Sequence, residues 1–387
     1  MKQLSHKALK VKESSTLAIT AKAKSLKLAG ENIIAFTAGE PDFDTPEHIK
    51  QAAFQAAKEG FTKYTATPGI IELRQAICDK LKNDNKLKYS PSQIVVSNGA
   101  KHALSNTFSA MINDGDEIII IGPYWLTYPD LVVLAGGVPV FVMTDKQSGY
   151  KPTKDQIEAA VTNKTKAIVI NSPNNPSGAV LNLDELKSIA EIAIKHDLYV
   201  ISDEIYEKLI YNDNTPHISI ASLDKDIFER TIVVNGYSKS YSMTGWRVGY
   251  TASNIELATV MGNIQGHRTS NINTLTQKAA IAAETGDQTC IETMRLSFKK
   301  RRELMMSLVN DIPKLDAIMP DGAFYVFADI NKNASEFAAE ILEKEKVALI
   351  PCADFGYENH IRLSYACSEE DIIEGMARIK RFLGLRK

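Results

Sequence analysis

Short apolar, β-branched runs alternate with longer stretches of helical periodicity through the middle of this chain. Ile94-Val95-Val96 leads into a helix expected from about Lys101 to Ile112. Glu117 to Ile121, after Asp114-Gly115-Asp116, reads as a buried strand, and Val138 to Val142 follows a Gly136-Gly137 turn. Lys166 to Ile170 is a further strand. Asn182 and Glu185 have the spacing of a capping box and announce a helix from near Leu183 to about His196. Leu198 to Ile201 and Thr231 to Asn235 return to strand. Alternation of this kind packs helices on a mostly parallel sheet, an α/β architecture. Ligands of such sheets collect beyond the carboxyl ends of the strands.

The C-terminal part breaks this rhythm. A charged helix, roughly Thr293 to Val309, precedes Gly322-Ala323-Phe324-Tyr325-Val326-Phe327. Another helix at Ile361-Arg362-Leu363-Ser364-Tyr365 and a final amphipathic helix are expected after it. This reads as a smaller α+β domain. Phe36 to Pro41 reads as a turn rather than the opening of the alternating region. Residues 1–46 are therefore expected to be an N-terminal arm and part of the small domain, with 47–292 as the large domain and 293–387 as the rest of the small one.

Length agrees with two domains, since 387 residues exceed one simple core. The 45 basic and 47 acidic residues nearly cancel, and no long basic stripe occurs, which argues against nucleic acid as the main partner. Cys78, Cys290, Cys352 and Cys367 lack paired spacing, so neither a disulfide framework nor a zinc or other metal site is expected. The polar, lysine-rich Met1 to Glu13 lacks the apolar core of a secretory signal. Leu131 to Met143, interrupted by Gly136, Gly137 and Pro139, falls short of the ~20 residues of a membrane span. A cytoplasmic protein without a membrane partner is the expectation.

Five segments that follow the strands carry candidate chemistry. Lys239 lies in Ser238-Lys239-Ser240-Tyr241-Ser242-Met243-Thr244-Gly245-Trp246-Arg247. An amine at a strand's end, among small neighbours, can form a Schiff base with a carbonyl compound if part of it stays unprotonated. Arg247 is a second cation, and a phosphate would suit the pair. Ser97-Asn98-Gly99-Ala100-Lys101 joins a strand to a helix N-terminus, a natural anion site. Trp125, in Pro123-Tyr124-Trp125, can stack on a planar ring. Asn175, in the proline-braced loop from Asn171 to Gly178, can donate an amide N–H to an oxyanion. Asp203, in Ser202-Asp203-Glu204-Ile205-Tyr206, can hold a ring nitrogen protonated, and Tyr206 offers a hydroxyl nearby. Taken singly, each has a plain structural reading: a surface lysine, a tight turn, a packing tryptophan, a loop asparagine, a helix cap. Together they suit one ligand, pyridoxal 5′-phosphate, whose protonated ring is an electron sink.

The motifs TAGEPDFDTP, NGAKHAL, NSPNNPSG, SDEIYE, SKSYSMTGWRVGY and GAFY, in this order over nearly the whole chain, resemble the fold-type I, class I aminotransferases. The likeness is to their prokaryotic aspartate aminotransferase branch, some of which also act on prephenate. It implies a large domain with a mostly parallel seven-stranded sheet flanked by helices, plus a small α+β domain. It implies that Lys239 is the Schiff-base lysine and proton carrier. Asp203 would hold the pyridine nitrogen, Asn175 and Tyr206 the ring oxygen, and Trp125 the ring face. Gly99, Ala100, Lys101, Ser238 and Arg247 would hold the phosphate. Arg362 would clamp the substrate α-carboxylate, with Gly39, Trp125 and Asn175 bordering the substrate. Tyr64 would reach the phosphate in the other subunit of a homodimer with shared sites. Some members place a serine three residues before the lysine; Gly236 stands there here, so Ser238 takes the role. Lys12 is a candidate for the far carboxylate of a dicarboxylic substrate, and a solvated arm lysine is its plain reading.

The implied reaction is transamination between an amino acid and a 2-oxo acid, with L-aspartate and 2-oxoglutarate the expected pair. Elimination chemistry on the same scaffold and a non-catalytic ligand sensor are the competing readings. No G-x-G-x-x-G occurs, which sets a dehydrogenase aside.

Overall fold

The computed structural model describes residues 3–11, 13–212 and 216–385. Its centre is a seven-stranded sheet. In spatial order the strands are Ile94–Ser97, Gly249–Ala252, Thr231–Gly236, Tyr199–Asp203, Thr165–Asn171, Glu117–Ile121 and Val138–Val142. All neighbours run parallel except Gly249–Ala252, which is antiparallel to both of its partners. The central strands are apolar on both faces because helices cover both, as a parallel sheet requires. Ile118, Ile120, Val169 and Ile201 pack with Leu104 and Phe108 of the helix Ala100–Met111. Ile119, Ile168, Ile170 and Val200 pack with Leu186, Ile189 and Ala193 of the helix Leu183–Lys195. That helix has its capping box: Asn182 accepts from the N–H groups of Asp184 and Glu185, and Glu185 accepts from the N–H of Asn182.

A four-stranded antiparallel sheet follows, ordered Ile350–Pro351, His360–Ser364, Tyr325–Asp329, Asp316–Ala317. The helices Thr289–Asn310 and Glu369–Phe382 close a core around Phe298, Phe324, Val326, Leu363 and Met376. The expected helix at 361–365 is instead a strand: His360–Ser364 pairs with Tyr325–Asp329. Five residues rich in branched side chains are too few for a helix and suit a pleat. Phe36 to Pro41 holds no helix or strand. Just before it, Ile34–Ala35 pairs parallel with Val347–Ala348. Among the described residues no helix is long and apolar enough to cross a membrane.

Register places the site. Asn171 stands opposite Asp203, and Asp203 opposite Val234, so three central strands end at one level. The chain segments that leave them converge above that edge, and the 37–40 segment crosses the same space.

Candidate active site

A cleft of about 430 Å³ opens above these strand ends, within the ~300–1,000 Å³ usual for small-molecule sites. Its lining includes Gly39, Ala100, Lys101, Trp125, Asn175, Asp203, Tyr206, Ser238, Lys239, Arg247 and Arg362. Gly99 lies directly beneath Arg247. Tyr64 is 91% exposed on its own chain and lies outside this cleft. Lys12 lies outside the described residues.

Lys239 follows the strand Thr231–Gly236 and donates from Nζ to the Gly39 carbonyl at 2.5 Å. Burial pushes its amine down to about 8; Arg362 and Arg247 push the same way, while Glu40 and Asp203 oppose them. A much larger share of it is free base near neutral pH than for a lysine in water.

Asp203, 3% exposed, ends the strand Tyr199–Asp203, and no helix follows, so it is not a helix cap. The Tyr128 hydroxyl donates to its Oδ2 at 2.6 Å and the Ile205 N–H to its Oδ1 at 3.2 Å. No cation among the described residues lies within ion-pair distance of it. Burial therefore raises this carboxyl to about 6, against the lowering by those two hydrogen bonds. Its carbonyl accepts from Asn171 Nδ2, and Asn171 Oδ1 accepts from the Asn175 N–H, so one asparagine ties the Asp203 strand to the Asn175 loop.

Arg362 crosses the cleft from the small sheet and is 2% exposed. Nη1 donates to Asn175 Oδ1 at 3.0 Å and Nη2 to the Thr37 carbonyl at 3.2 Å. Its Nε finds no partner, and the guanidinium rests on the Tyr325 ring at 4.3 Å. The Tyr325 hydroxyl meets that of Tyr206 at 2.9 Å. Because Arg362 occupies Asn175 Oδ1, the Asn175 Nδ2 hydrogens remain for a ligand.

At the other end of the cleft, the helix Ala100–Met111 starts with no side chain capping it, and the N–H groups of Ala100 and Lys101 find no acceptor among the described residues. Gly99, at φ +83°, makes the turn; a Cβ there would lie 2.5 Å from Arg247 Nη2. Arg247 donates to the Thr244 and Asn98 carbonyls, which fixes its guanidinium over the turn. Gly236 cannot carry the alternative serine, since its Cβ would come within 2.8 Å of Gly249 Cα and 2.9 Å of the Val248 carbonyl. Ser238, buried in the lining, is the hydroxyl the fold offers there.

These features fit pyridoxal phosphate. There is a buried carboxylate without its cation, an amine that burial lowers to about 8, and open N–H groups at a helix start beside Arg247. Several cleft groups escaped the sequence reading. Tyr128 was the most accessible of them: it lies three residues after Trp125 and meets it edge-on at 5.5 Å. Tyr325, Thr37 and Asn171 lie inside the motifs GAFY, TAGEPDFDTP and NSPNNPSG, but residue type there gave no role to them individually. The Lys101 side chain also differs from a pure phosphate ligand, since its Nζ lies over the Trp125 ring at 5.0 Å.

A family model described as aminotransferase class I and II matches residues 31–379. An aspartate aminotransferase of Bacillus sp. (strain YM-2) is 46% identical over 96% of both chains. A probable aspartate/prephenate aminotransferase of Aquifex aeolicus is 44% identical over 99% of both. The structure of Thermus thermophilus aspartate aminotransferase with maleate superposes with a TM-score of 0.95 at 40% identity, covering 98% of this chain and all of that one.

Proposed function

This chain belongs to the class I and II aminotransferases, and from that premise we propose that it moves the α-amino group of L-aspartate to 2-oxoglutarate in a ping-pong cycle, giving oxaloacetate and L-glutamate. Pyridoxal 5′-phosphate, the cofactor of this family, supplies when bound a protonated ring that takes up the electron pair left at the substrate Cα. The observation that carries the proposal is Arg362: a buried guanidinium that, among the described residues, has an unpartnered Nε and no carboxylate beside it, inside the cleft that Lys239 enters. A buried charge without a counter-ion is costly, and a substrate α-carboxylate removes that cost.

The residues divide the work. Arg362 orients the substrate by its carboxylate. Lys239 Nζ would take the proton from the substrate Cα as general base and, in the second half-reaction, return one as acid to the Cα of the amino acid formed. Asp203 keeps the ring nitrogen protonated. Asn175 Nδ2 and the Tyr206 hydroxyl would donate to the ring oxygen, and Trp125 would cover the ring. The Ala100 and Lys101 N–H groups, Ser238 and Arg247 hold the phosphate. The lining's cations are Lys101, Lys239, Arg247 and Arg362. With three so engaged, Lys101 is the described cation left for the second carboxylate of a dicarboxylic substrate, a role first considered for Lys12. Tyr64, exposed and outside its own cleft, supports a homodimer in which it reaches the partner's phosphate. The four free cysteines support a cytoplasmic location. The pairing of Ile34–Ala35 with Val347–Ala348 supports placing the residues before 46 with the small domain.

Two substitutions test the substrate assignment. Arg362→Lys should lower kcat/KM for every amino donor alike, by ~1.5–3 kcal/mol in transition-state binding, because a point charge replaces a fork. Lys101→Gln should lower kcat/KM for aspartate and glutamate by roughly tenfold, ~1.5 kcal/mol, and spare alanine. Steady-state assays over a donor panel, with 2-oxoglutarate and prephenate as acceptors, read both. Equal losses for alanine and aspartate in Lys101→Gln would remove the dicarboxylate assignment. Relatives named aspartate/prephenate aminotransferases make prephenate the second acceptor to measure.

A further inference from the structure

The turn after the strand Tyr199–Asp203 faces two ways. Asp203 and Tyr206 line the cleft. Glu204 and Glu207, each one residue further on, are as buried but absent from the cleft lining. Both point into the protein behind the site. Glu204 Oε1 accepts from the Ser202 hydroxyl at 2.9 Å and the Ser219 hydroxyl at 2.6 Å, and its Oε2 meets His217 Nε2 at 2.9 Å. Glu207 Oε1 pairs with Lys80, and its Oε2 accepts from Asn85 Nδ2 at 2.8 Å. Lys80 also donates to Asn85 Oδ1 at 2.8 Å, closing a three-residue ring. Lys80 and Asn85 come from the helix Ile71–Asn85, and Ser219 and His217 from the segment before Ile220, so two separate parts of the fold grip one turn.

The backbone of that turn is short of restraints of its own. Glu204 N–H donates to the Val234 carbonyl, Glu207 N–H to the Glu204 carbonyl and Leu209 N–H to the Tyr206 carbonyl. No helix continues it. Beyond the contacts of Tyr128 and the Ile205 N–H with Asp203 and of Tyr325 with Tyr206, the direction in which Asp203 and Tyr206 point depends on what fixes the residues between and after them. Burial would push the Glu207 carboxyl up, yet the cations around it, Lys80 first, hold it down to about 2. It is a permanent anion in its cage. Removing one partner of such a buried pair leaves the other charge uncompensated, whereas replacing both with neutral hydrogen-bonding groups leaves the geometry near its original form.

We infer that Glu204 and Glu207 are positioning residues for the reaction, whose rear anchorage aims Asp203 at the ring nitrogen and Tyr206 at the ring oxygen. This rests on the cofactor reading above. The spacing supports it: the forward pair and the rear pair are both three residues apart and interleaved, so displacing either carboxylate rotates a cleft residue next to it.

The test uses Glu207→Gln, the double variant Lys80→Gln/Glu207→Gln, and Ser219→Ala, each as full-length protein. Four quantities are read: kcat and KM for aspartate, the pH at which the bound cofactor's visible band titrates, and the affinity of cofactor-free protein for pyridoxal phosphate by quenching of tryptophan fluorescence. Glu207→Gln is expected to lower kcat 10- to 100-fold with KM within about twofold, since Arg362 is untouched. It should shift the titration of the band by at least about half a pH unit and weaken cofactor binding roughly 5- to 20-fold. The double variant should recover kcat to within about fivefold of wild type. Ser219→Ala, a milder change that keeps every charge, should lower kcat about 3- to 10-fold with the same signature. Unchanged band titration and cofactor affinity in Ser219→Ala and in whichever Glu207 variant folds would overturn the inference, and so would activity lost only in proportion to the folded fraction. Wild-type protein that binds no pyridoxal phosphate would instead sink the cofactor reading itself.

Discussion

Lys239→Ala is expected to abolish turnover while the fold survives. Among the described residues the side chain makes one hydrogen bond, to the Gly39 carbonyl, and its Nζ lies over the Tyr206 and Phe324 rings at 5.9 and 6.0 Å, so truncation removes little on which a domain depends. The chemistry has no substitute. Among the described residues the other amine in the cleft lining is Lys101, and it lies over the Trp125 ring. Loss of the proton carrier alone costs up to ~10⁴-fold. Loss of the covalent anchor adds to this, so kcat should fall by at least ~10⁴. Borohydride treatment followed by peptide mass analysis should find cofactor on the peptide holding Lys239 in wild type and on no peptide in the variant. Cofactor fixed to another lysine of an active variant would reject the assignment. The pH dependence has a definite sign. Burial brings this amine down to about 8, so it is protonated below that pH and free above it. Covalent capture of cofactor should quicken as pH rises through about 8 and level off beyond, whereas a lysine in water would still be gaining near pH 10.

Legibility in the sequence followed the range of the interactions involved. The strands Glu117–Ile121, Thr165–Asn171 and Thr231–Gly236 were readable because both their faces are buried under helices, which leaves unbroken apolar runs between polar turns. The helix at Leu183 was readable because its start is a local hydrogen-bond exchange between Asn182 and Glu185. The strand Gly249–Ala252 was not: four residues beginning with glycine carry little pattern, and its place between Ile94–Ser97 and Thr231–Gly236 is set by partners far along the chain. His360–Ser364 was misread for a similar reason, since its ladder partner Tyr325–Asp329 lies a helix away. In the cleft, the groups that follow strand ends announced themselves by residue type. Arg362 could be assigned only through family likeness, because its contacts are to Asn175 and Thr37, both distant in sequence. The contact between Tyr128 and Asp203 shows the boundary: the tyrosine lies three residues after Trp125, but nothing local said where its hydroxyl would go.

Asp203→Asn is expected to cripple catalysis and, in the same protein, to stabilise the cofactor-free fold. Asparagine keeps an oxygen for one of the two donors that hold the carboxylate, the Tyr128 hydroxyl and the Ile205 N–H, so the turn should survive. The charge does not. Without it the ring nitrogen has no anion to keep its proton, and the electron sink weakens. The cost should be that of a lost preorganised electrostatic contact, ~3–4 kcal/mol or about 10²–10³ in kcat. Stability should move the other way. In cofactor-free protein, burial raises this carboxyl from 3.8 to about 6, so the native state holds its proton where the unfolded chain has released it. The resulting penalty grows as pH rises from about 4 to 6 and is complete above, on the order of 2–3 kcal/mol at neutral pH. Cofactor-free Asp203→Asn should therefore melt higher than wild type at pH 7–8, with the difference shrinking toward pH 4. A residue that merely held the turn would give the opposite pair of results: a lower melting temperature at every pH and a kcat close to wild type. Scanning calorimetry of the cofactor-free proteins, beside kcat of the loaded ones, separates the two roles.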